Sequence, residues 1–368
     1  FFDEPSSYND VFQRMAVSKV IQSIADLGKC VLLVEHDLTF LDYLSDYIQI
    51  FYGEPGAYGI VSTIHSSRTG VNLLLDGYLP NENVRFRDKS VTFNTYSPNN
   101  EYVKSKTLAK YTDILKKFPN FELKAESGVL RETQITGVLG GNALGKTTFI
   151  KMISGIEKLD KGEIFTEAKI SYKPQYLSSD YNGTVKMLLD ESSNGDYEAG
   201  AIESTLILPF GVQKLYEKEI SDLSGGELQK VAVLTCLMRD ADVYALDEPS
   251  AFIDIEDRIV LARGINRFVK SQGKSALVVD HDIQLVDIVS DSLLIFSGQP
   301  GISGTASKLM NKEEGMNTFL QNLGVTYRRD IDTGRPRVNK TGSKLDRKQK
   351  DEKTYYYLTR EPQKAQQE

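Results

Sequence analysis

The glycine-rich stretch GGNALGKTT, Gly140 to Thr148, narrows the possible folds of this chain more than any other feature. It fits the pattern G-x-x-x-x-G-K-[ST] and lies between a short apolar strand pattern, QITGVLG, and a segment with helical spacing, TTFIKMISGI. A loop in this context turns backbone N–H groups inward and binds phosphates at the N-terminus of a helix. The alternative, a glycine-rich turn without a ligand, does not account for both flanks. The stretch is therefore interpreted as a phosphate-binding loop, or P-loop.

Two side chains of the P-loop have specific expected contacts. Lys146 is expected to reach the β- and γ-phosphates of a nucleotide, and the Thr147 hydroxyl is expected to ligate Mg²⁺. The nucleotide-binding residues predicted in this loop are Gly140, Asn142, Gly145, Lys146, Thr147 and Thr148.

Alternating strand and helix patterns around the P-loop predict an α/β domain with a mostly parallel sheet. The runs VYALDEP and SALVVDHD begin with apolar stretches typical of buried parallel strands. VYALDEP ends in Asp247 and Glu248, at the sheet edge where ligands bind. Asp247 is predicted to hold Mg²⁺ or its water, and Glu248 to polarise the attacking water. An acid pair before proline also suits a turn or a helix start, so this prediction depends on the P-loop upstream.

The motif LSGGELQ precedes the helical pattern KVAVLTCLM and suggests a second anion site. Ser224 is a candidate N-cap for that helix, and the two glycines leave its first N–H groups accessible. A simple capped helix is the alternative reading of these residues. The nucleotide-binding residues predicted in this motif are Ser224, Gly225, Gly226 and Glu227.

Two polar residues complete the predicted site. His281 follows the apolar strand SALVVD, where it could contact the γ-phosphate, although a lone histidine at a strand end is more often structural. Gln175, in SYKPQYLS, is expected near Mg²⁺ and the attacking water. Alone, this glutamine would not stand out.

The chain contains an internal repeat. The sequence FFDEPSSYND at residues 1–10 matches ALDEPSAFID at 245–254. The match continues with one inserted residue, so Glu35-His36-Asp37 corresponds to Asp280-His281-Asp282. Residues 1–60 are therefore interpreted as the end of one domain and residues 101–310 as the whole of a second. Residues 61–100 form a connector in which VNLLLDGYL predicts a brief helix. The predicted counterparts of the site residues in the first copy are Asp3, Glu4 and His36.

Residues 311–368 form a C-terminal basic segment and tail. Residues 327–350 carry nine Lys or Arg against three Asp, within a chain of net charge −7. Such a run is either a solvated tail or a patch that contacts a phosphate backbone. KTYYYL, near its end, has a strand pattern.

Composition indicates an ordinary globular protein, with 40% hydrophobic and 26% charged residues in 368. No apolar run reaches the length of a membrane-spanning helix, and no secretory leader pattern is present. Cys30 and Cys236 are too few for a zinc or iron–sulfur cluster and are both expected in the core. These observations favour a reducing, cytoplasmic location.

The P-loop, Gln175, LSGGE, DEP followed by SAFID, and a strand-end histidine, in this order, resemble an ATP-binding cassette (ABC) ATPase domain over residues 130–300. Further resemblance is to subfamily E of the ABC ATPases, the ribosome-recycling ATPases also called RNase L inhibitors. It rests on the flanking sequences GEPGAYGIVS and GYLPNENVRFR, the D-loop SSYND (residues 6–10) and the basic segment. The resemblance covers nearly the whole chain. In this subfamily the connector and the C-terminal basic segment are hinges, and transporter cassettes lack both.

The resemblance implies an α/β fold of ABC-type P-loop NTPase domains with a parallel-sheet core and a helical subdomain, one complete and one partial, plus hinge segments. The LSGGE of one domain closes over ATP held by the P-loop of the other. Tyr111 is a further expected nucleotide contact. The expected catalytic residues are Glu248, His281, Gln175, Glu4 and His36. The expected metal-binding residues are Thr147, Gln175, Asp247 and Asp3.

The function implied by the resemblance is ATP-driven splitting of ribosomal subunits after termination, with a role at initiation, in the cytoplasm. ATP and Mg²⁺ are the cofactors. The partners are the small ribosomal subunit with its rRNA and the termination, release and initiation factors, but neither membrane nor DNA. Family members begin with a region that binds two four-iron clusters, which this sequence lacks, so the chain is interpreted as N-terminally truncated.

Three residues depart from the family pattern. Ala143 replaces a P-loop glycine and Asp280 replaces a glutamate, and we expect both to be tolerated; Asn9 replaces a D-loop leucine. The chain also contains one P-loop lysine, Lys146, and one LSGGE serine, Ser224, which belong to opposite composite sites. The alternative function is therefore a catalytically incomplete module that only binds ribosomes and nucleotide.

Overall fold

The computed structural model describes residues 1–7, 9–54, 57–87, 90–91, 93, 105–175, 181–193, 202–330 and 333–356. The helices are α1 (Val11–Asp26), α2 (Leu38–Leu44), α3 (Ser67–Asp76), α4 (Lys146–Ile153), α5 (Val185–Ser193), α6 (Leu208–Phe210), α7 (Gly225–Met238), α8 (Ile255–Ser271), α9 (Ile283–Val289), α10 (Lys312–Leu323) and α11 (Lys344–Asp351). None of these described helices is long and apolar enough to cross a membrane.

The strands are short in the first hundred residues and longer after them. They are β1 (Phe2–Asp3), β2 (Leu33–Val34), β3 (Tyr47–Ile48), β4 (Phe51–Glu54), β5 (Tyr58–Val61), β6 (His65–Ser66), β7 (Tyr78–Leu79), β8 (Val84–Arg85), β9 (Thr107–Phe118), β10 (Phe121–Ala125), β11 (Gly128–Arg131), β12 (Ile135–Leu139), β13 (Lys161–Thr166), β14 (Ile170–Lys173), β15 (Val243–Asp247), β16 (Ser275–Val279), β17 (Ser292–Gln299), β18 (Ser303–Ala306), β19 (Met310–Asn311), β20 (Tyr327–Arg329) and β21 (Pro336–Val338).

The chain divides into two compact units. Unit 1 contains residues 1–96 and 316–368, and unit 2 contains residues 97–315. The sequence predicts four segments with boundaries after residues 60, 100 and 310. In the structure, by contrast, the connector and most of the C-terminal segment belong to the same unit as the N-terminal residues.

Unit 2 is built on a mixed sheet in the order β11-β9-β10-β18-β17-β12-β16-β15-β14. Strands β17, β12, β16, β15 and β14 are parallel, whereas β9 pairs antiparallel with β10, β11 and β13. Every residue of β12, β15 and β16 is buried, since helices cover both faces of a parallel sheet and favour continuous apolar runs. The predicted α/β class with a parallel core is confirmed.

The parallel strands place the sequence motifs at one edge of the sheet. The carboxyl ends of neighbouring parallel strands meet at the same edge. The P-loop follows β12, Gln175 follows β14 after one residue, Asp247 ends β15, and His281 follows β16 after one residue. The alternation of strands and helices predicted from the sequence therefore brings the predicted site residues to one edge of the sheet.

Unit 1 is held by a buried ion-pair network. In α2, Asp42 pairs with Arg335 and Arg337 of the C-terminal segment, and the side chains of Asp42 and Arg335 are fully buried. Arg337 also pairs with Asp330 at 3.1 Å. Arg68, at the start of α3, approaches Asp330 from the connector at 3.5 Å. This network explains why residues of the basic segment belong to unit 1 and do not form a separate tail.

Apolar and hydroxyl contacts add to the network of unit 1. The Phe12 and Phe319 rings meet edge to face with centroids 5.9 Å apart. The Tyr43 hydroxyl and Thr341 Oγ1 are 3.1 Å apart. The helix predicted from VNLLLDGYL forms as part of α3. From KTYYYL, the described residues contribute a single bridge from Tyr356 to Tyr327, and Tyr357 and Leu358 lie outside the described residues.

The two cysteines differ in their surroundings. Cys236 is buried, as predicted, but Cys30 is exposed, so its assignment to the core is wrong. The residue that corresponds to Cys30 in the second copy is Ser275, which is buried at the start of β16 between β12 and β15. In the first copy, the strand equivalent to β16 is β2. Among the described residues of unit 1, β2 pairs with β1 alone, so Cys30 is not covered by strands on both sides.

Candidate functional site

The P-loop connects β12 to α4 through turns in which Ala143 and Gly145 have positive φ angles. Gly145, at φ +90°, is the N-cap of α4 and has no side chain to occupy the first N–H groups of that helix. Lys146 is buried, and its Nζ donates hydrogen bonds to the Gly140 carbonyl at 3.0 Å and the Gly141 carbonyl at 2.6 Å. The ammonium group thus lies inside the loop, where a phosphate would carry the complementary charge.

Ala143 adopts a left-handed backbone conformation in the P-loop, with φ +56°. The Cβ of an L-residue costs about 1–2 kcal/mol there, which glycine does not incur. We therefore expect Ala143→Gly to raise the free energy of unfolding of unit 2 by up to about 1 kcal/mol, part of the gain being lost to the greater freedom of unfolded glycine. Denaturant-dependent hydrogen exchange of α4 measures this change.

The matched control is Ala16→Gly on the exposed face of α1, in unit 1. The same substitution in a helix interior should lower stability by about 1 kcal/mol. A destabilising Ala143→Gly would show that the left-handed conformation carries no strain.

Asp247 is fully buried at the end of β15, and neither of its carboxylate oxygens has a hydrogen-bond partner of ordinary length among the described residues. Burial raises the pKa of Asp247, and the Thr147 hydroxyl and the cation of Lys146 oppose that rise. Buried carboxylate oxygens are normally satisfied by donors or by a metal ion. An oxygen-rich pair, Asp247 and Thr147, therefore fits Mg²⁺.

Glu248, His281 and Gln175 converge next to Asp247. His281 Nε2 lies 3.2 Å from Glu248 Oε1. Burial raises the pKa of Glu248, but hydrogen bonds from His281 and Gln175 and the charge of Lys146 outweigh it, so the pKa lies below its usual range. A carboxylate that stays ionised is suited to accept a proton from water.

Two residues that the sequence analysis missed hold the backbone beneath this carboxylate. Lys173 is buried at the end of β14, and its Nζ donates to the Asp247 carbonyl at 2.9 Å. Gln229, in α7, donates from Nε2 to the Glu248 carbonyl at 2.6 Å. Burial lowers the pKa of Lys173 to about 8 against the opposing charge of Asp247. The available signal was a lysine at an inward position of a buried strand, two residues before Gln175.

The LSGGE motif forms the predicted cap at the start of α7. Ser224 Oγ accepts from the Glu227 N–H at 3.3 Å, and Glu227 Oε2 accepts from the Ser224 N–H at 2.9 Å. The prediction that Ser224 caps this helix is confirmed. A Cβ on Gly226 would lie 2.8 Å from the carbonyl oxygen of Phe252, so this position requires glycine. The motif therefore packs closely against the D-loop SAFID, residues 250–254.

The first copy reproduces the acid–histidine pair without a P-loop. His36 Nε2 lies 3.0 Å from Glu4 Oε1, and Glu4 has φ +42° where Glu248 has φ +48°. The Glu4 and His36 side chains are 45% and 58% exposed, and Asp3 is exposed as well. The geometry of the pair is thus local to the repeated motif, whereas its burial depends on the rest of a domain.

The structure corrects the expectation for Tyr111. Its side chain is buried in the core of unit 2, and its ring meets Phe149 edge to face at 5.5 Å. This leaves no surface for a nucleotide. Phe121, at the start of β10, is half-buried and lies beside the P-loop, with ring atoms about 3 Å from the place a Cβ on Gly145 would occupy. Side-chain direction along β9 decides the burial of Tyr111, because successive residues face opposite sides of a strand.

Comparisons with known proteins agree with this geometry. The family model for ABC transporters matches residues 123–251. An uncharacterized ABC transporter ATP-binding protein of Methanocaldococcus jannaschii is 45% identical over 97% of this chain and 59% of its own length. Translation initiation factor RLI1 of Chaetomium thermophilum is 41% identical over 99% of this chain and 60% of its own length. The chain therefore spans about three fifths of the curated relatives it matches.

A solved structure gives a fuller match. In the crystal structure of the archaeal ribosome recycling factor aABCE1 with the archaeal ribosomal stalk protein aP1, the matching chain is 46% identical. The TM-score is 0.92, over 97% of this chain and 69% of that chain. The motif order, the site geometry and this likeness lead to one conclusion. The chain belongs to the ABC ATPases of subfamily E.

Proposed function

We propose that this chain is part of a twin-cassette ATPase that uses ATP to split ribosomal subunits after termination and that also acts at initiation. The observation that carries the proposal is the convergence of Lys146, Asp247 and Glu248 at one edge of the unit 2 sheet. The likeness to a ribosome recycling factor and to a translation initiation factor supports the ribosome as its target.

In the proposed reaction, the P-loop binds the phosphates of ATP and Lys146 exchanges its carbonyl contacts for phosphate oxygens. Asp247 and Thr147 would hold Mg²⁺, which neutralises phosphate charge when bound. Glu248 accepts a proton from the attacking water. His281 orients Glu248 through the 3.2 Å contact and borders the γ-phosphate. Phe121 offers a ring on which the base could stack.

The composite-site arrangement of the family gives a second candidate function. The sequence has one P-loop and one LSGGE, and each needs its counterpart from another cassette. The chain by itself would then bind nucleotide and ribosomes without turnover. Sedimentation with small subunits and turnover assays on this chain and on the full-length protein distinguish the two.

The ribosomal contact is assigned to α11. Arg335 and Arg337 are buried in ion pairs, so the part of the basic segment that faces solvent is smaller than its charge suggests. Lys344, Arg347 and Lys348 are exposed on α11. A basic helix face of this kind suits the phosphate backbone of rRNA. Release and initiation factors are proposed partners of the same ribosome-bound state, and the cytoplasm is the proposed location. The family's iron–sulfur clusters would require cysteines other than Cys30 and Cys236.

We expect the charge reversals Lys344→Glu, Arg347→Glu and Lys348→Glu together to weaken sedimentation with purified small ribosomal subunits by about tenfold or more. The assay uses a non-hydrolysable ATP analogue. The matched control reverses three exposed lysines of unit 2, Lys161, Lys186 and Lys214, which gives the same change in net charge. Equal loss in both variants would mean that only total charge matters. Failure of the wild-type chain and full-length protein to sediment would count against ribosome binding itself.

A further inference from the structure

Each strand-end histidine of the repeat lies between two carboxylates. The sequences are Glu35-His36-Asp37 and Asp280-His281-Asp282. Of these six residues, the proposed reaction uses only His281. The carboxylates hold the two ends of the D-loop that follows each glutamate, one directly and the other through an arginine.

The carboxylate before the histidine binds the first residue of the D-loop. Asp280 Oδ2 accepts from the Ser250 N–H at 3.1 Å, and Asp280 Oδ1 accepts from the Ser250 hydroxyl at 2.8 Å. In the first copy, Glu35 Oε1 accepts from the Ser6 N–H at 3.0 Å. The same backbone donor is therefore bound in both copies, although one carboxylate is aspartate and the other glutamate.

The carboxylate after the histidine holds the other end of the D-loop through an arginine. Arg258 Nη1 donates to Asp282 at 3.2 Å, and Arg258 Nε donates to the Ile253 carbonyl at 2.7 Å. Arg14 Nη1 donates to Asp37 at 2.5 Å, and Arg14 Nε donates to the Asn9 carbonyl at 2.9 Å.

The second carboxylate is itself fixed at a helix N-terminus. Asp282 Oδ1 accepts from the Gln284 N–H at 2.8 Å, and Asp37 Oδ1 accepts from the Thr39 N–H at 2.7 Å. Capping alone would account for Asp282 and Asp37. Asp280 and Glu35 also accept from the N–H of the capping aspartate, at 2.8 Å from Asp282 and 3.2 Å from Asp37. Capping does not account for the bonds that the D-loop serines donate to Asp280 and Glu35.

The catalytic glutamate lies within this arrangement. Glu248 is two residues before Ser250 and contacts His281. Its own N–H donates to the Val279 carbonyl at 2.8 Å, immediately before Asp280. The D-loop, the histidine and the glutamate are thus linked to one another by hydrogen bonds and by the contact between Glu248 and His281.

We propose that the two carboxylates flanking His281 clamp both ends of the D-loop, so that the D-loop and His281 form one positioning unit for Glu248. Asp280 is the positioning residue with the most direct role. The clamp is a claim about this chain alone, whereas its effect on hydrolysis rests on the proposed ATPase function. A displacement of about 1 Å in such a unit is enough to misplace a catalytic base.

Nuclear magnetic resonance of this chain tests the clamp, because its three histidines, His36, His65 and His281, give one Hε1 ring signal each. In Asp280→Ala we expect the His281 signal to shift while the other two stay unchanged. We also expect the Ser250 amide to exchange its hydrogen about tenfold faster, because a bond to a charged acceptor is lost. Asp280→Glu should retain both wild-type readouts, since Glu35 makes the equivalent contact in the first copy.

Glu35→Ala is the matched control, and we expect it to shift His36 and leave His281 unchanged. An unchanged His281 signal and unchanged Ser250 exchange in Asp280→Ala would overturn the clamp. So would an Asp280→Glu variant that behaves like Asp280→Ala, or a variant that shifts all three histidines. Should Asp280→Ala not fold, Asp280→Asn keeps the volume of the side chain and gives the same readouts.

A turnover assay in the twin-cassette protein measures the consequence for catalysis. Asp280→Ala should lower kcat by about tenfold and leave the KM for ATP nearly unchanged, and Asp280→Glu should restore kcat. A rise in KM with unchanged kcat would contradict the positioning role. Absence of turnover in the wild type would count against the proposed ATPase function, and the histidine signals would still decide the clamp.

Discussion

Asp42→Ala is expected to lower the free energy of unfolding of unit 1 by about 3–5 kcal/mol. The Asp42 carboxylate is fully buried and neutralises Arg335, which is fully buried too, and Arg337. Its removal leaves two guanidinium groups in a low-dielectric interior, where, among the residues that the structure describes, Asp330 is the one acidic partner left, and it pairs with Arg337. The penalty for an uncompensated buried charge exceeds the value of the ion pair itself.

Denaturant-dependent hydrogen exchange of α2 and β21 measures this loss in unit 1 separately from unit 2. Glu352→Ala is the matched control, because it breaks an exposed ion pair to Lys348 and should cost less than about 1 kcal/mol. The double change Asp42→Leu and Arg335→Met removes the fully buried pair, leaves Arg337 paired with Asp330, and should cost less than Asp42→Ala. A larger loss in the double variant would show that packing, and not charge burial, dominates.

Glu248→Gln is expected to lower ATP turnover of the twin-cassette protein by about 100-fold or more while nucleotide binding persists. The amide cannot accept the proton of the attacking water, yet it keeps the size of the side chain and a partner for His281. Phosphate release measures turnover, and fluorescence of a labelled ATP analogue measures binding. Lys146→Ala should instead weaken binding, because it removes the cation of the P-loop.

The 368-residue chain provides a separate test of the composite site. In the proposed composite arrangement, the P-loop and the LSGGE of this chain need counterparts from another cassette, so we expect weak ATP binding and very little hydrolysis. Robust hydrolysis by this chain, abolished by Glu248→Gln, would contradict the composite arrangement. Equal turnover of wild type and Glu248→Gln would instead remove Glu248 from the mechanism.

Local patterns predicted the core of unit 2 and most of its site. The P-loop, the strand ending in Asp247 and the strand before His281 depend on residues close together in sequence, and parallel pairing brings them to one edge. Ser224 was identified as a cap for the same reason, since a capping box spans four residues. The internal repeat also predicted the Glu4–His36 pair. Its Oε1 and Nε2 atoms are 3.0 Å apart, although the surroundings of the pair differ from those of Glu248 and His281.

Long-range packing explains what the sequence did not predict. Arg335 and Arg337 lie in a basic run that suggests a solvated or RNA-binding surface, but their partner Asp42 is nearly 300 residues away, and a lone aspartate in α2 gives no sign of it. Tyr111 was misassigned because the side of β9 that faces the core is fixed by pairing with β10 and β11. Lys173 and Gln229 were missed because each acts on a backbone carbonyl, which has no signature in a side-chain pattern.

The hydrogen bonds of Lys146 to its own loop also limit what this residue can add to phosphate binding. The ammonium group already has two carbonyl partners, at 3.0 Å and 2.6 Å. A bound phosphate would replace these acceptors, so the free energy gained from Lys146 is the difference between the two sets of hydrogen bonds. The effect of Lys146→Ala on nucleotide affinity therefore measures this exchange and not the full strength of an ammonium–phosphate contact.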